Sequence, residues 1–82
     1  MTYVISMRTY LSVMFSSDGA RPSDVVERLQ MIGFRPTTGN YDFIYEWDRH
    51  ATVEDSIYFA DKVHEALDGL GVLFRLETEI ME

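Results

Sequence analysis

The sequence predicts an α+β fold with six elements in the order strand, helix, strand, strand, helix, strand. Two segments, residues 22–32 and 53–69, carry apolar residues at the spacing of amphipathic helices. Between them, residues 41–48 alternate aromatic side chains with mostly acidic ones, which is the period of a β-strand. The same period of two runs through residues 3–15 and 72–80. We therefore expect one α+β domain that covers the whole chain of 82 residues.

The first strand has one face that is more apolar than the other. Its odd-numbered positions carry Tyr3, Ile5, Met7, Leu11, Val13 and Phe15, with Thr9 as the polar exception. The usual length of a strand is about five or six residues, and this one is longer. We therefore expect its first residues to be a separate piece or to overhang the sheet.

The first helix follows a turn-rich loop at residues 16–21. Pro22 suits the first turn of a helix because its N–H is not needed there. The apolar stripe of this helix consists of Val25, Leu29 and Ile32. Gly33 is expected to end the helix as a C-terminal cap.

A hairpin is predicted after the first helix. Its first strand, residues 34–37, belongs at a sheet edge because Pro36 has no N–H for the ladder. Residues 38–40 contain Gly39 and form the turn, and residues 41–48 form the second strand. The odd positions of that strand are Tyr41, Phe43, Tyr45 and Trp47. We expect these four rings to lie mainly in the core, with a platform for ligand stacking as the alternative.

The second helix begins with a capping signal. Thr52 and Asp55 have the spacing of a capping box, with Asp in place of the preferred Glu. The buried stripe of this helix is expected to consist of Ile57, Ala60, Val63, Leu67 and Leu70, with Phe59 on its flank. The last strand, residues 72–80, alternates apolar residues with a face that carries Arg75, Glu77 and Glu79.

This order of elements is that of the ferredoxin-like βαββαβ sandwich. Right-handed crossovers would place both helices on one face of a four-stranded antiparallel sheet, with the first and third strands in the centre. The helix-covered face would form the core. The uncovered side, the open face, is expected to carry Arg8, Tyr10, Ser12, Met14, Asp42, Ile44, Glu46, Leu73, Arg75 and Glu77.

The charge balance is acidic, with 14 acids, 7 bases and a net charge of −7. Nucleic-acid binding needs clustered positive charge, and the bases are scattered, so we expect no nucleic-acid partner and no membrane partner. The chain has no cysteine, which excludes disulfides, thiolate catalysis and cysteine-bound metals. Residues 1–6 lack the basic start and apolar run of a signal peptide, and no apolar stretch approaches about 20 residues. We therefore expect a cytoplasmic protein.

The open face provides the candidate ligand-binding residues, which are Arg8, Tyr10, Ser12, Asp42, Glu46 and Arg75. Arginines on a rigid sheet can clamp a carboxylate in fork geometry. The alternative is a solvated face on which the charges pair across strands. RNA-binding sheets of this fold use several aromatics in basic surroundings, whereas this face has Tyr10 alone among acids.

Two histidines provide an enzymatic alternative. His50 or His64 with nearby carboxylates could act in acid–base or metal-assisted catalysis. Glu46, Asp48, His50 and Glu54 have the chemistry of metal ligands, but their spacing matches no known metal motif. No nucleophile or orienting partner is identifiable for His64. We therefore predict no metal and no cofactor, and we assign no catalytic residue.

Asp18 and Gly19 lie in the loop that leads from the first strand into the first helix. Such a turn can hold an anion on free backbone N–H groups. In this loop and in its order of elements, the chain resembles small regulatory domains of the ACT type. The resemblance implies an amino-acid site at a subunit interface.

The sequence thus favours a non-catalytic homo-oligomeric module that binds a small metabolite at a subunit interface. The alternatives are a small acid–base or metal-assisted enzyme and a protein-interaction adaptor. We expect the interface to use residues 2–6, where β-formers follow one another without a charge, or the open face around Tyr10 and Met14, or both. The charged residues of the last strand would defend its own edge.

Overall fold

The computed structural model describes residues 6–47 and 51–81, and its elements follow the predicted order. The strands are β1 (Ser6–Met14), β2 (Arg35–Pro36), β3 (Phe43–Trp47) and β4 (Leu73–Met81), and the helices are α1 (Pro22–Met31) and α2 (Val53–Leu67). The strands form one antiparallel sheet in the order β2-β3-β1-β4. The ferredoxin-like sandwich is confirmed, with β1 and β3 in the centre of the sheet. Neither described helix is long and apolar enough to cross a membrane.

Two of the strands, β2 and β3, are shorter than the sequence pattern predicts. The predicted extension of β1 over residues 3–5 lies outside the described residues. β2 has only 2 residues, and Pro36 has no N–H with which to extend the ladder. β3 begins at Phe43 instead of residue 41, because a bend at Asp42 precedes it.

The end of α1 has the cap that the sequence predicts. The helix begins at Pro22, and Gly33 follows it with a φ of 104°. The Gly33 N–H donates to the Gln30 carbonyl at 3.0 Å, and the Phe34 N–H donates to the Leu29 carbonyl at 3.0 Å. These two bonds form a Schellman motif, which reverses the chain into β2.

α2 begins with the predicted capping box, but its buried face is rotated. The Asp55 N–H donates to Thr52 Oγ1 at 3.1 Å, and the Thr52 N–H donates to Asp55 Oδ2 at 2.9 Å. Phe59 is buried, whereas Ile57, which the sequence pattern places in the core, is 57 % exposed. The rotation arises because the Phe59 ring packs on β3, with its centroid 4.4 Å from that of Tyr45.

The core lies between the helices and the sheet face that carries the odd residues of β1. Its most enclosed members, at 0 % exposure, are Leu11, Val25, Leu29 and Val63. Thr9 is the buried polar exception on β1. Its hydroxyl accepts from Trp47 Nε1 at 2.9 Å and lies 2.9 Å from Thr78 Oγ1. Phe43, Tyr45 and Trp47 belong to or pack on this core, as predicted.

The loop after β1 packs backbone to backbone against the loop before β4. The Ala20 N–H donates to the Leu70 carbonyl at 2.8 Å. A Cβ on Gly19 would lie 2.7 Å from the carbonyl oxygens of Leu70 and Gly71. The close approach of the two loops therefore requires glycine at this position.

Candidate functional site

The open face is a surface of charged and aromatic side chains from all four strands. Its described strand members are Arg8, Tyr10, Ser12, Met14, Arg35, Ile44, Glu46, Leu73, Arg75, Glu77 and Glu79, and Tyr41, just before β3, joins them. Facing residues of an antiparallel ladder share one side of the sheet, which assigns each of the strand members to this face. The three arginines and three glutamates balance each other, so the net charge of −7 resides on the rest of the chain.

Glu46 holds two of the arginines on this face. Arg35 Nη2 donates to Glu46 Oε1 at 2.6 Å, and Arg8 Nε lies 3.7 Å from the same oxygen. The pKa of Arg8 is raised above its ordinary value. The main cause is a hydrogen bond with Tyr10, and the negative charge of Glu46 raises the pKa further. Arg8 and Glu46, both candidates from the sequence, are thus engaged in a cross-strand ion pair, as the alternative interpretation of the open face predicts.

Two stacked tyrosines lie in the middle of the open face. The rings of Tyr10 and Tyr41 have centroids 4.7 Å apart and are inclined by 25°. The Tyr41 hydroxyl donates to a carboxylate oxygen of Glu77. The prediction that Tyr41 lies in the core is wrong, because the bend at Asp42 ends the alternation before Phe43 and leaves Tyr41 on the open face.

Asp42 joins β1 to the start of β3. Its Oδ2 accepts from the Val13 N–H at 2.9 Å, and its own N–H donates to the Leu11 carbonyl at 3.0 Å. Leu11 faces Phe43, so the ladder partner of Val13 would be residue 41, which lies before the strand begins. The Asp42 carboxylate takes the place of that missing partner, and it is therefore engaged within the protein.

Ser12 and Arg75 face each other at the other end of the open face. An open groove of about 280 Å³ lies here, with Ser12, Met14, Leu73 and Arg75 among its lining residues. Among the described residues, no ion pair or hydrogen bond engages the Arg75 guanidinium. Met14 and Leu73 are 66 % and 70 % exposed. The groove thus combines apolar walls with an accessible charged donor.

A second apolar surface lies on the helix-covered side, where α2 meets β4. A cleft of about 340 Å³ is lined there by Met7, Val53, Ser56, Thr78 and Ile80, among others. Val53 and Ile80 are 75 % and 63 % exposed, and Ile57 lies one helical turn after Val53. We call Val53, Ile57 and Ile80 the α2–β4 strip. The sequence interpretation missed this strip, although the i, i+4 spacing of Val53 and Ile57 was an available signal.

The loop before α1 uses three of its N–H groups for bonds within the protein. The Asp18 N–H donates to Ser16 Oγ at 3.3 Å, and the Gly19 N–H donates to the Ser16 carbonyl at 3.0 Å. The next N–H, that of Ala20, is taken by the loop before β4. These three N–H groups are therefore not available to an anion.

The two histidines contribute no catalytic arrangement that the structure describes. His64 lies exposed on α2, and its ring centroid is 6.2 Å from that of Phe74. Asp48 and His50, which are two of the four residues considered as metal ligands, lie outside the described residues. Within residues 6–47 and 51–81, no three His, Asp or Glu side chains are grouped as metal ligands.

Comparisons with known proteins assign no function. No protein-family model matches this chain, and no curated protein or solved structure matches it. The open face and the α2–β4 strip are therefore the features of the molecule from which a function is inferred.

Proposed function

We propose that this protein is a non-catalytic module that works as an assembly of identical copies and binds a small metabolite where the copies meet. The observation that carries the proposal is the position of its exposed apolar side chains. Leu73 and its facing residue Met14 lie on the open face, whereas Val53, Ile57 and Ile80 lie on the helix-covered side. All five are more than half exposed, and they flank β4 on both of its sides.

The size of the chain makes this exposure informative. A chain of 82 residues buries only about 60–65 % of the surface that its unfolded form exposes. Single exposed apolar side chains are ordinary in proteins, but a group on both sides of one strand is typical of an interaction surface. A second copy would bury apolar side chains that a single copy leaves exposed to solvent.

The open face suits binding better than catalysis. Glu46 is held by Arg8 and Arg35, and Glu77 accepts from Tyr41. Exposed pairs of this kind contribute about 0–1 kcal/mol each, so they organise the surface more than they stabilise the fold. The charged group that stays accessible beside an apolar groove is Arg75.

The class of metabolite follows from the groove at Ser12 and Arg75. A guanidinium that is not engaged favours a carboxylate in fork geometry, and the apolar walls favour a short hydrocarbon tail. The groove volume of about 280 Å³ is at the small end of ligand sites. We therefore propose a small carboxylic acid with an apolar tail.

Isovalerate and isovaleramide are matched probes for this site, because the amide has the same tail without the charge. Isovalerate should shift the backbone N–H signals of Ser12 and Arg75 in heteronuclear NMR spectra and saturate at millimolar concentration, whereas the amide should not. Equal responses to both probes, or shifts confined to other residues, would show that the groove is not a carboxylate site.

The assembly is tested separately by sedimentation velocity. The mass should rise from that of one copy towards that of two or more between about 1 and 100 µM, because association follows mass action. A strict monomer over the whole range would contradict the proposed assembly.

A further inference from the structure

β4 is an edge strand that has three charged residues but lacks the other usual protections against pairing. It has 9 residues, and its register with β1 runs without a bulge from Met81 to Leu73. It contains no proline and no lysine, and none of its charged residues lies on the core side. Proteins commonly block their edges with prolines, bulges, inward-pointing charges or charged side chains, especially lysines. The charges of β4 all point outward and are of both signs, so they can also pair with those of a second copy. The opposite edge, β2, has 2 residues and includes Pro36.

The residues of β4 form a sequence that mirrors itself about Glu77. On the open face, Arg75 and Glu79 lie two residues to either side of Glu77 and have opposite charges. On the helix-covered face, Phe74 and Ile80 lie three residues to either side and are both apolar. A strand of this kind is complementary to a second copy that runs antiparallel to it.

We infer that two copies pair antiparallel through β4, about a two-fold axis at Glu77, and join their four-stranded sheets into one. The inference rests on the proposed function, because it names the interface of that assembly. In this register Arg75 faces the partner's Glu79 on the open face, and Phe74 faces the partner's Ile80 on the other. The backbone N–H and C=O groups of β4 that point away from β1 then form hydrogen bonds with the other copy.

The same operation covers Ile80, the β4 member of the α2–β4 strip. Val53 and Ile80 line one cleft, so the strip borders the edge at which the partner arrives. In this register Ile80 of the strip lies opposite the partner's Phe74, whereas the two copies of Ile80 are six residues, or about 20 Å, apart along the strands. Arg75 then lies between the groove and the partner's Glu79, and the five N–H donors of its guanidinium can serve both. This arrangement places the proposed metabolite site at the border between the copies.

Other registers fit the side chains less well. If one strand slides by one residue along the other, each residue faces one whose side chain lies on the opposite side of the sheet. A two-fold axis perpendicular to the sheet does not allow this, because it keeps facing side chains on the same side. An axis at Thr78 puts Glu77 opposite the partner's Glu79 at two places. An axis at Leu76 pairs Arg75 with the partner's Glu77, but it puts Leu73 opposite the partner's Glu79 and shortens the pairing to residues 73–79. The axis at Glu77 aligns all 9 residues and leaves a single contact between like charges.

Exchange of charges tests the pairing on the open face. Arg75→Glu and Glu79→Arg each place like charges opposite one another at two symmetric positions. Each should raise the dimer dissociation constant about tenfold or more in sedimentation experiments. The double variant restores opposite charges and should return the constant to within about threefold of wild type. The two residues are four positions apart on one strand, so no contact within one copy would explain this rescue.

Ile80→Asp tests the helix-covered side of the same interface. It puts a charge opposite the partner's Phe74 and should dissociate the dimer. Met31→Asp is the matched control, because Met31 is 76 % exposed and lies at the end of α1, and it should leave the mass unchanged. Both residues are exposed in a single copy, so both variants should keep the wild-type circular dichroism.

The outcomes separate this inference from the proposed function. Rescue by the double charge variant, together with dissociation of Ile80→Asp, supports pairing through β4. If wild type associates and these variants associate equally well, the interface lies elsewhere, and the inference is wrong while the proposed assembly stands. If wild type is monomeric, both are wrong.

Discussion

Val63→Ala and Val53→Ala make the same chemical change on two sides of one helix. Val63 is 0 % exposed and belongs to the core, whereas Val53 is 75 % exposed near the start of α2. The comparison therefore tests which side of α2 faces the sheet. Both the sequence pattern and the structure place Val63 in the core, so the result tests the exposure of Val53, one member of the α2–β4 strip.

The expected difference follows from the atoms that are removed. Each buried methyl or methylene group contributes about 0.8 kcal/mol, and the unfilled cavity adds to the loss. Val63→Ala should therefore cost about 2–3 kcal/mol. At about 0.05–0.15 kcal/mol per residue, a domain of this length has a stability of about 4–12 kcal/mol. Val53→Ala should change the stability by less than about 0.5 kcal/mol, as exposed substitutions usually do.

Urea unfolding followed by circular dichroism measures both changes. Both substitutions are best made in the Ile80→Asp variant, which is expected to be a monomer. The measured changes then contain no contribution from the proposed interface. With a slope of about 1 kcal/mol per molar urea, Val63→Ala should lower the midpoint by about 2 M or more, and Val53→Ala by less than about 0.5 M. Equal shifts, or a larger shift for Val53→Ala, would refute the orientation of α2.

Three further substitutions test local features of the fold by the same urea assay. Thr52→Ala removes half of the capping box and should cost about 0.5–2 kcal/mol. Gly19→Ala introduces a Cβ at 2.7 Å from two carbonyl oxygens and should cost about 1–3 kcal/mol, so an unchanged midpoint would contradict the close packing of the two loops. Tyr41→Phe keeps the stack on Tyr10 but loses the hydrogen bond to Glu77, and it should cost about 0.5–1.5 kcal/mol.

The parts of the fold that the sequence predicts well depend on local signals. The capping box at Thr52 and the cap at Gly33 each lie within a turn or two of a helix, so their spacing along the chain is sufficient. The extent of β3 and the position of Tyr41 depend instead on the Asp42 carboxylate, which reaches the Val13 N–H on β1. Spacing along the chain carries no information about that contact.

The candidate site shows the same limit. Alternation along β1 and β3 predicts that Arg8, Tyr10 and Glu46 share the open face, because this requires only the period of two. The bond from Arg35 to Glu46 depends on the register of β2 against β3, which the hairpin determines. The exposure of Ile57 likewise depends on a contact between α2 and β3 and not on the pattern within α2.

Disulfide formation at the proposed two-fold axis tests pairing through β4 most directly. The chain has no cysteine of its own, so a single introduced thiol can react only with the same thiol of another copy. Facing residues of an antiparallel pair have Cα atoms about 4.5–5.5 Å apart, which suits a disulfide. Glu77→Cys should therefore form a covalent dimer rapidly under mild oxidation. Arg75→Cys, on the same face of the same strand, would have its copies about 13 Å apart and should remain reduced. A monomeric Glu77→Cys, or equal cross-linking of both variants, would contradict the inferred dimer.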